Sequence, residues 1–348
     1  MVMSAKNTLK TLLEGIKFKS ETAAKWMPRK GSDAIALERF MKLSPKQYRK
    51  LLVENTKVIE TAMCQKEWGS ITYEHVPSVA MARYAKAFGK HDGERFTEYK
   101  SGDTKVNASA VYPYDIVKTL LHGDSVMANK QWLAQPNYMV NSNERILPMC
   151  DVSQSMDKMV GDNPNLTCML VCISLGIYIS ERNEGNFKNA FMTFSERPEL
   201  QLLSGSLSER YKQLSTASWG MNTNLEKAFI TILDQAVMNK VPESEMPTTL
   251  LILSDMEFDS ATNRRNTALD MIKENYIRAG YNIPKVVFWN LHSKSSSNFP
   301  VQVTDKGVSL VSGFSPAILK GILTCDDMSP VNMMNKTIND PRYDLITI

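Results

Sequence analysis

A short apolar run that ends at an acid and two serines constrains the fold of this chain most strongly. The run Ile146–Cys150 leads into Asp151, Ser153 and Ser155, and an apolar helical segment follows at about 166–179. Strand, polar loop and helix in this order are typical of open α/β sheets, which place ligand-binding groups at the carboxyl ends of strands. Asp151 and Ser153 would alternatively only cap the following helix, and the loop by itself favours neither interpretation.

The same alternation of apolar runs and helical segments continues through the second half of the chain. It predicts an α/β fold with a doubly wound, mainly parallel sheet of the Rossmann type. Pro198 lies between the second and third runs, which favours a hairpin with an antiparallel edge strand. The predicted strands are 145–151, 189–195, 199–204, 248–254, 285–291 and 307–312. The predicted helices are 165–182, 206–215, 224–239, 263–279 and 315–323.

Two later stretches carry polar residues that belong with the first loop. Thr223 opens the helix at 224–239, and Asp255 follows the strand at 248–254. Groups at the carboxyl ends of parallel strands converge on one edge of a sheet. Thr223 could serve only as a helix cap, although Asn222 or Asn224 would cap equally well. The convergence favours a ligand site with hard oxygen donors, which suits Mg²⁺, Ca²⁺ or Mn²⁺ rather than Zn²⁺.

These five positions resemble the metal-ion-dependent adhesion site of the von Willebrand factor A domain. Its pattern is Asp-x-Ser-x-Ser, a distant Thr and a distant Asp, matched here by Asp151, Ser153, Ser155, Thr223 and Asp255. The resemblance implies that the serines and the threonine touch the metal, and that the aspartates often act through water. It also implies a protein partner that supplies an acidic side chain to the metal.

The first half of the chain reads as helical and basic. Residues 1–50 hold 12 basic and four acidic residues, whereas the whole chain carries a net charge of +4. This asymmetry indicates either an anionic partner or a solubilising surface. Trp26, Trp68 and Tyr84 are predicted to be core residues rather than base-stacking platforms. The predicted domains are a helical domain at 1–140, a von Willebrand factor A-like domain at 141–325 and an irregular tail at 326–348. The predicted helices of the first half are 34–41, 46–66, 79–88, 92–99, 113–121 and 125–133.

Further motifs resemble a largely uncharacterised intracellular family that pairs a helical region with a von Willebrand A-like domain. That family occurs in plants, fungi, bacteria and viruses and is similar in architecture to the Ro autoantigen proteins. The Ro proteins bind small RNAs, so this resemblance implies an RNA-binding scaffold as a second function. The motifs are Ala24–Arg29, Tyr48–Leu51, Val76–Val79, Lys86–Asp92, Glu94–Phe96, Phe194–Ser195, Trp219–Asn224, Ser254–Asp259, Val287–Leu291 and Val311–Phe314.

The five cysteines form no disulfide or metal-ligand framework, which favours a reducing compartment. No run reaches the roughly 18 apolar residues of a membrane span, and the amino terminus lacks the apolar core of a signal peptide. We therefore expect a cytoplasmic protein without a membrane partner. Because the resembled family also occurs in viruses, a virus-encoded protein that acts in the host cytoplasm is the alternative. The cysteines are Cys64, Cys150, Cys168, Cys172 and Cys325.

Three functions follow from these observations. The favoured function is a non-enzymatic interaction module that binds its partner through a divalent cation. The alternative is a Ro-like scaffold that binds RNA through the basic helices. A metal-dependent hydrolase is the weaker alternative, because the sequence has no phosphate-binding loop, nucleophile elbow or placed general base.

Overall fold

The computed structural model describes most of the chain and divides it into two compact units. The described residues are 12–17, 21–56, 58–108, 110–140, 142–161, 163–218, 224–256, 265–292, 308–314, 318, 321–322, 334–335 and 338–339. The first unit comprises Met1–Lys105 with Asn335–Ile348, and the second comprises Val106–Met334. No helix among the described residues is both long and apolar enough to cross a membrane.

The described part of the first unit is built from helices joined by short turns and loops, and residues 12–17 are also helical. Ala24, Met27, Tyr48 and Leu52 are buried in one apolar cluster, and the Tyr48 hydroxyl donates to the carbonyl of Pro28 at 2.8 Å. In a second cluster, aromatic rings pack edge-on or tilted against Tyr73. The helices are α1 (Glu21–Trp26), α2 (Gly31–Phe40), α3 (Pro45–Asn55), α4 (Ile59–Gln65), α5 (Ser78–His91) and α6 (Gly93–Ser101).

Two predictions for this unit are wrong. The single helix predicted at 46–66 is two helices, because the Thr56 hydroxyl donates to the carbonyl of Leu52 and takes up hydrogen bonding that a continuing helix would use. Trp26 is not a core residue, since 68% of its surface is exposed. Trp68 and Tyr84 are partly buried, and Trp68 stacks on His91 with 4.6 Å between ring centroids.

The second unit is built on a six-stranded sheet in the order β3-β2-β1-β4-β5-β6. Among the described strands, β2 and β3 form the one antiparallel pair, so the predicted hairpin and edge strand are confirmed. The predicted α/β class with a mainly parallel, doubly wound sheet is also confirmed. The strands are β1 (Ile146–Cys150), β2 (Ala190–Thr193), β3 (Leu200–Leu202), β4 (Thr249–Ser254), β5 (Lys285–Asn290) and β6 (Val308–Ser312).

Helices cover both faces of this sheet because the inner strands are apolar on both sides. The first face, with Cys150, Leu251 and Trp289, packs against helices from before and after β1. The second face, with Met149 and Ile252, packs against helices that flank β4. Those on the first face are α7 (Pro113–Leu121), α8 (Ser125–Leu133), α9 (Cys168–Arg182) and α10 (Leu207–Ser215), and those on the second are α11 (Leu225–Met238) and α12 (Arg265–Arg278).

The compact units divide the chain differently from the domains predicted at 1–140 and 141–325. Helices α7 and α8 precede residue 140 but belong to the second unit and pack against α9. Most of the segment predicted as helix 315–323, and of the tail predicted as irregular at 326–348, lies outside the described residues. In the tail, the described residues 334, 335 and 338 are helical.

Candidate metal centre

Asp151 lies where the chain reverses direction across the sheet. From β1 the chain moves outward to β2 and β3, and it then returns to place β4 on the other side of β1. The backbone N–H of Asp151 donates to the carbonyl of Leu253 at 3.0 Å, so β4 fixes this residue at the carboxyl end of β1. Open α/β sheets bind their ligands at this kind of reversal point.

The Asp151 carboxylate is almost wholly buried and held at both oxygens. Its Oδ1 accepts from the backbone N–H of Ser153 at 3.0 Å, and its Oδ2 accepts from the Ser254 hydroxyl at 2.8 Å. Burial raises the pKa of Asp151, the donors on Ser153 and Ser254 oppose that rise, and the negative charge of Asp255 adds to it. The hydrogen bonds fix the carboxylate orientation in a region where a negative charge lacks solvation.

The two serines of the loop bring their hydroxyl oxygens together. Ser153 precedes a short 3₁₀ turn, Gln154–Asp157, and this turn folds the loop back so that Ser155 lies beside Ser153. Their Oγ atoms are 3.0 Å apart, and Ser153 also hydrogen-bonds Asp151. A pair of hydroxyls next to a fixed carboxylate offers hard oxygen donors from one short loop.

Asp255 brings the second carboxylate to this edge from the end of β4. It is 1% exposed, and its charge contributes to the raised pKa of Asp151, as expected for carboxylates that lie near each other. Its Oδ2 lies 3.3 Å from the Nζ atom of Lys158. The structure therefore brings Asp151, Ser153, Ser155 and Asp255 to the reversal point between β1 and β4.

The fifth candidate, Thr223, lies outside the described residues. The described residue after Thr223 is Asn224, whose side chain caps α11 by accepting from the backbone N–H of Lys227 at 2.9 Å. The backbone N–H of Asn224 donates to the carbonyl of Ser195, just beyond the end of β2, at 3.3 Å. Asn224 thus performs the capping role that the sequence also allowed for Thr223.

Sequence reasoning missed two residues of this site. Ser254 orients Asp151, and its place beside Asp255 at the end of a strand was the available signal. Lys158 gave no signal, because its contact with Asp255 joins residues 97 positions apart.

Three buried thiols lie beneath the site. Burial raises the pKa of Cys168 to about 12, with the charge of Asp255 adding to the rise. Burial also raises the pKa of Cys172, which lies against Cys150 and donates to the carbonyl of Leu253 at 3.5 Å. Metals bind the thiolate rather than the thiol, so these cysteines pack the sheet instead of serving as ligands.

The donors at this edge fit a hard divalent cation. They comprise two carboxylates and two hydroxyls, and both carboxylates are buried where a nearby positive charge is favourable. Over the part of the chain that the structure describes, no three His, Cys, Asp or Glu side chains are grouped to hold a metal. Among the described residues, the serine hydroxyls would add to the two carboxylates as oxygen donors.

The fold and the site define a protein with a helical unit and a doubly wound α/β unit that carries polar groups at its carboxyl edge. The family described as a domain of unknown function, DUF7788, matches residues 145–342. Since this match covers more than half of the chain, the protein belongs to that family. A second domain of unknown function, DUF2828, matches residues 9–147.

Two further proteins are similar to this chain. The uncharacterized protein L728 of Acanthamoeba polyphaga mimivirus is 29% identical over 345 residues, which cover 89% of this chain and 59% of L728. The chain thus spans about three fifths of the length of that relative. The crystal structure of the Deinococcus radiodurans Ro (RSR) protein aligns with 97% of this chain and 64% of its own, at 15% identity and a TM-score of 0.44.

Proposed function

We propose that this protein is a metal-dependent interaction module. The observation that carries the proposal is the convergence of Asp151, Ser153, Ser155 and Asp255 between the ends of β1 and β4. Thr223 completes the proposed ligand set. Mg²⁺ is the proposed cation, with Ca²⁺ and Mn²⁺ as alternatives of the same ligand preference.

Each residue has a distinct task in this proposal. Ser153 and Ser155 present hydroxyl oxygens to the cation, while Asp151 and Asp255 supply negative charge. Ser254 holds the Asp151 carboxylate in one orientation by a 2.8 Å hydrogen bond. A bound divalent cation would supply an open coordination position that accepts an Asp or Glu side chain of a partner protein.

Affinity purification of the full chain tests this function. The protein is captured from its native host in the presence of Mg²⁺, of EDTA, or of Mg²⁺ with nuclease. The proposal predicts a partner protein that is lost with EDTA, retained with nuclease and absent from the Ser153→Ala/Ser155→Ala variant. Ser208→Ala, which changes an exposed serine of α10, is the matched control and should retain the partner.

RNA binding by the basic first unit is the second candidate function. The structure exposes Lys25, Arg29 and Lys42, and on α3 it exposes Lys46, Arg49 and Lys50. The latter three are spaced by three and four residues, so they share one side of the helix. Their exposure leaves these cations available to phosphates.

A further inference from the structure

Lys158 places a positive charge at the candidate metal centre. Its Nζ atom lies 3.3 Å from Oδ2 of Asp255, which is 1% exposed, whereas the Lys158 side chain is 34% exposed. The backbone beneath it is fixed, because the N–H of Cys168 donates to the Lys158 carbonyl at 2.9 Å and Met159 pairs with Thr167. The main chain at Lys158 is thus fixed, and only the side chain needs to move for the ammonium group to leave Asp255.

The ion pair with Lys158 neutralises the negative charge of Asp255, which the proposed metal would otherwise neutralise. Asp151 and Asp255 together contribute two negative charges, and the Lys158 ammonium neutralises one of them. A divalent cation beside Asp255 would meet the ammonium as a like charge at close range, which is unfavourable. The Lys158 side chain can withdraw to solvent because a third of it is already exposed. The buried Asp255 carboxylate would not be left unpaired, since the incoming cation would neutralise it instead.

We propose that Lys158 is a built-in competitor of the divalent cation. In the metal-free protein it balances the charge of Asp255, and it withdraws toward solvent when the cation binds. Lys158 therefore sets the cation concentration at which the site fills and becomes able to accept an acidic partner. This inference rests on the proposed metal site, and the experiment below separates the two.

Isothermal titration of the full chain with Mg²⁺ measures this competition. Lys158→Met removes the positive charge and keeps an unbranched side chain. It should tighten Mg²⁺ binding roughly tenfold, because this is the size of the repulsion between one unit charge and a nearby divalent ion under water-like screening. Lys158→Gln should act in the same direction, and Lys158→Arg, which keeps the charge, should bind Mg²⁺ like the wild type. Lys212→Met, at an exposed lysine of α10, is the matched control and should change nothing.

The outcomes separate the competitor from the site itself. Wild-type protein that binds Mg²⁺ no more weakly than folded Lys158→Met and Lys158→Gln variants overturns the competitor role and leaves the metal site standing. Absence of Mg²⁺ binding in the wild type and in both charge-removing variants overturns the metal site. Binding that is tighter in Lys158→Met and Lys158→Gln, and that disappears on adding Ser153→Ala/Ser155→Ala, supports both.

Discussion

At the scale of single residues, Asp151 combines burial with a negative charge. Burial is the main reason that the pKa of Asp151 is higher in the folded state than in the unfolded state. The folded protein therefore loses stability as the pH rises from about 3.9, the pKa in the unfolded state, through the raised pKa of the folded state. We predict that Asp151→Asn raises the melting temperature of the metal-free protein at pH 7. Each kcal/mol gained corresponds to about 2–4 °C in a domain of this size.

Thermal melts in EDTA across a pH series check this prediction. The advantage of Asp151→Asn over the wild type should shrink as the pH falls below the raised pKa, since the wild-type carboxylate then becomes neutral. Ser254→Ala, which removes a hydrogen bond to the carboxylate, should instead lower the melting temperature at pH 7. An Asp151→Asn variant that is less stable than the wild type at pH 7 and equally so at pH 4 would contradict the account.

The sequence allowed several site residues to be identified one by one. Asp151 and Asp255 each follow an apolar run, and the ends of buried parallel strands are places where an acid has a specific role. Ser153 and Ser155 were evident from their spacing to Asp151. Lys158 was not predictable, because its partner depends on how the loop after Ser155 folds against β4.

At the scale of elements, helix α9 lies directly against the end of β1. A Cβ atom added at Gly176 would come within 2.5 Å of the Cys150 sulfur and 3.1 Å of a Leu214 methyl group. We predict that Gly176→Ala costs about 1–3 kcal/mol, as overpacked cores do. It should also weaken Mg²⁺ binding, because Cys150 precedes Asp151.

Gly89→Ala is the matched control for that substitution. Gly89 lies within α5, and a Cβ atom there would have no neighbour within 4 Å. Alanine should stabilise this helix by about 0.5–1 kcal/mol, since glycine is the poorer helix former. Urea unfolding of both variants measures the difference. Equal stabilities of Gly176→Ala and the wild type would show that α9 and β1 are packed less tightly than the structure indicates.

Strand and helix periodicity predicted the elements of the second unit well, because each strand is a short apolar run bounded by polar or turn residues. Strand β1 was predicted at 145–151 and spans Ile146–Cys150. The first unit was harder to predict, since its helix boundaries depend on side-chain contacts with the backbone. At the break after Asn55 the Thr56 hydroxyl bonds the carbonyl of Leu52, a contact that no apolar pattern reveals.

At the scale of the whole molecule, helices α7 and α8 belong to the α/β unit, which therefore begins before them. Ile116, Val117 and Trp132 are buried in the same core as α9, and the Trp132 indole N–H donates to the Glu181 carboxylate at 2.7 Å. We predict that a fragment of residues 106–334 unfolds cooperatively, whereas a fragment of residues 141–334 binds hydrophobic dyes and melts at lower temperature. Circular dichroism and dye fluorescence on both fragments check this, and identical behaviour would support the boundary predicted at 140/141.

The first unit offers a test of the RNA-binding alternative. Phosphate contacts release counterions, so RNA affinity should fall with salt by a slope of about −0.7 per contact on single strands. Reversing Lys46, Arg49 and Lys50 to Glu should weaken binding to all sequences alike, because phosphate contacts do not read bases. Reversing Arg83, Lys86 and Lys90 on α5 makes the same change in net charge at exposed positions and is the control.

Filter binding across a salt series measures both sets of variants. If RNA binding is weak at low salt, or if both triple reversals weaken it equally, the basic residues of α3 form only a solubilising surface. The metal-dependent interaction module would then be the favoured function.

Thermal melting of the full chain with and without Mg²⁺ tests the central claim most directly. A ligand that binds only the folded state stabilises it by about 2.7 kcal/mol at one hundred times its dissociation constant. We predict that Mg²⁺ raises the melting temperature of the wild type and of the Ser208→Ala variant. The melting temperature of the Ser153→Ala/Ser155→Ala variant should be the same with and without Mg²⁺. A wild type whose melting temperature does not move at Mg²⁺ concentrations well above physiological levels would contradict the metal centre.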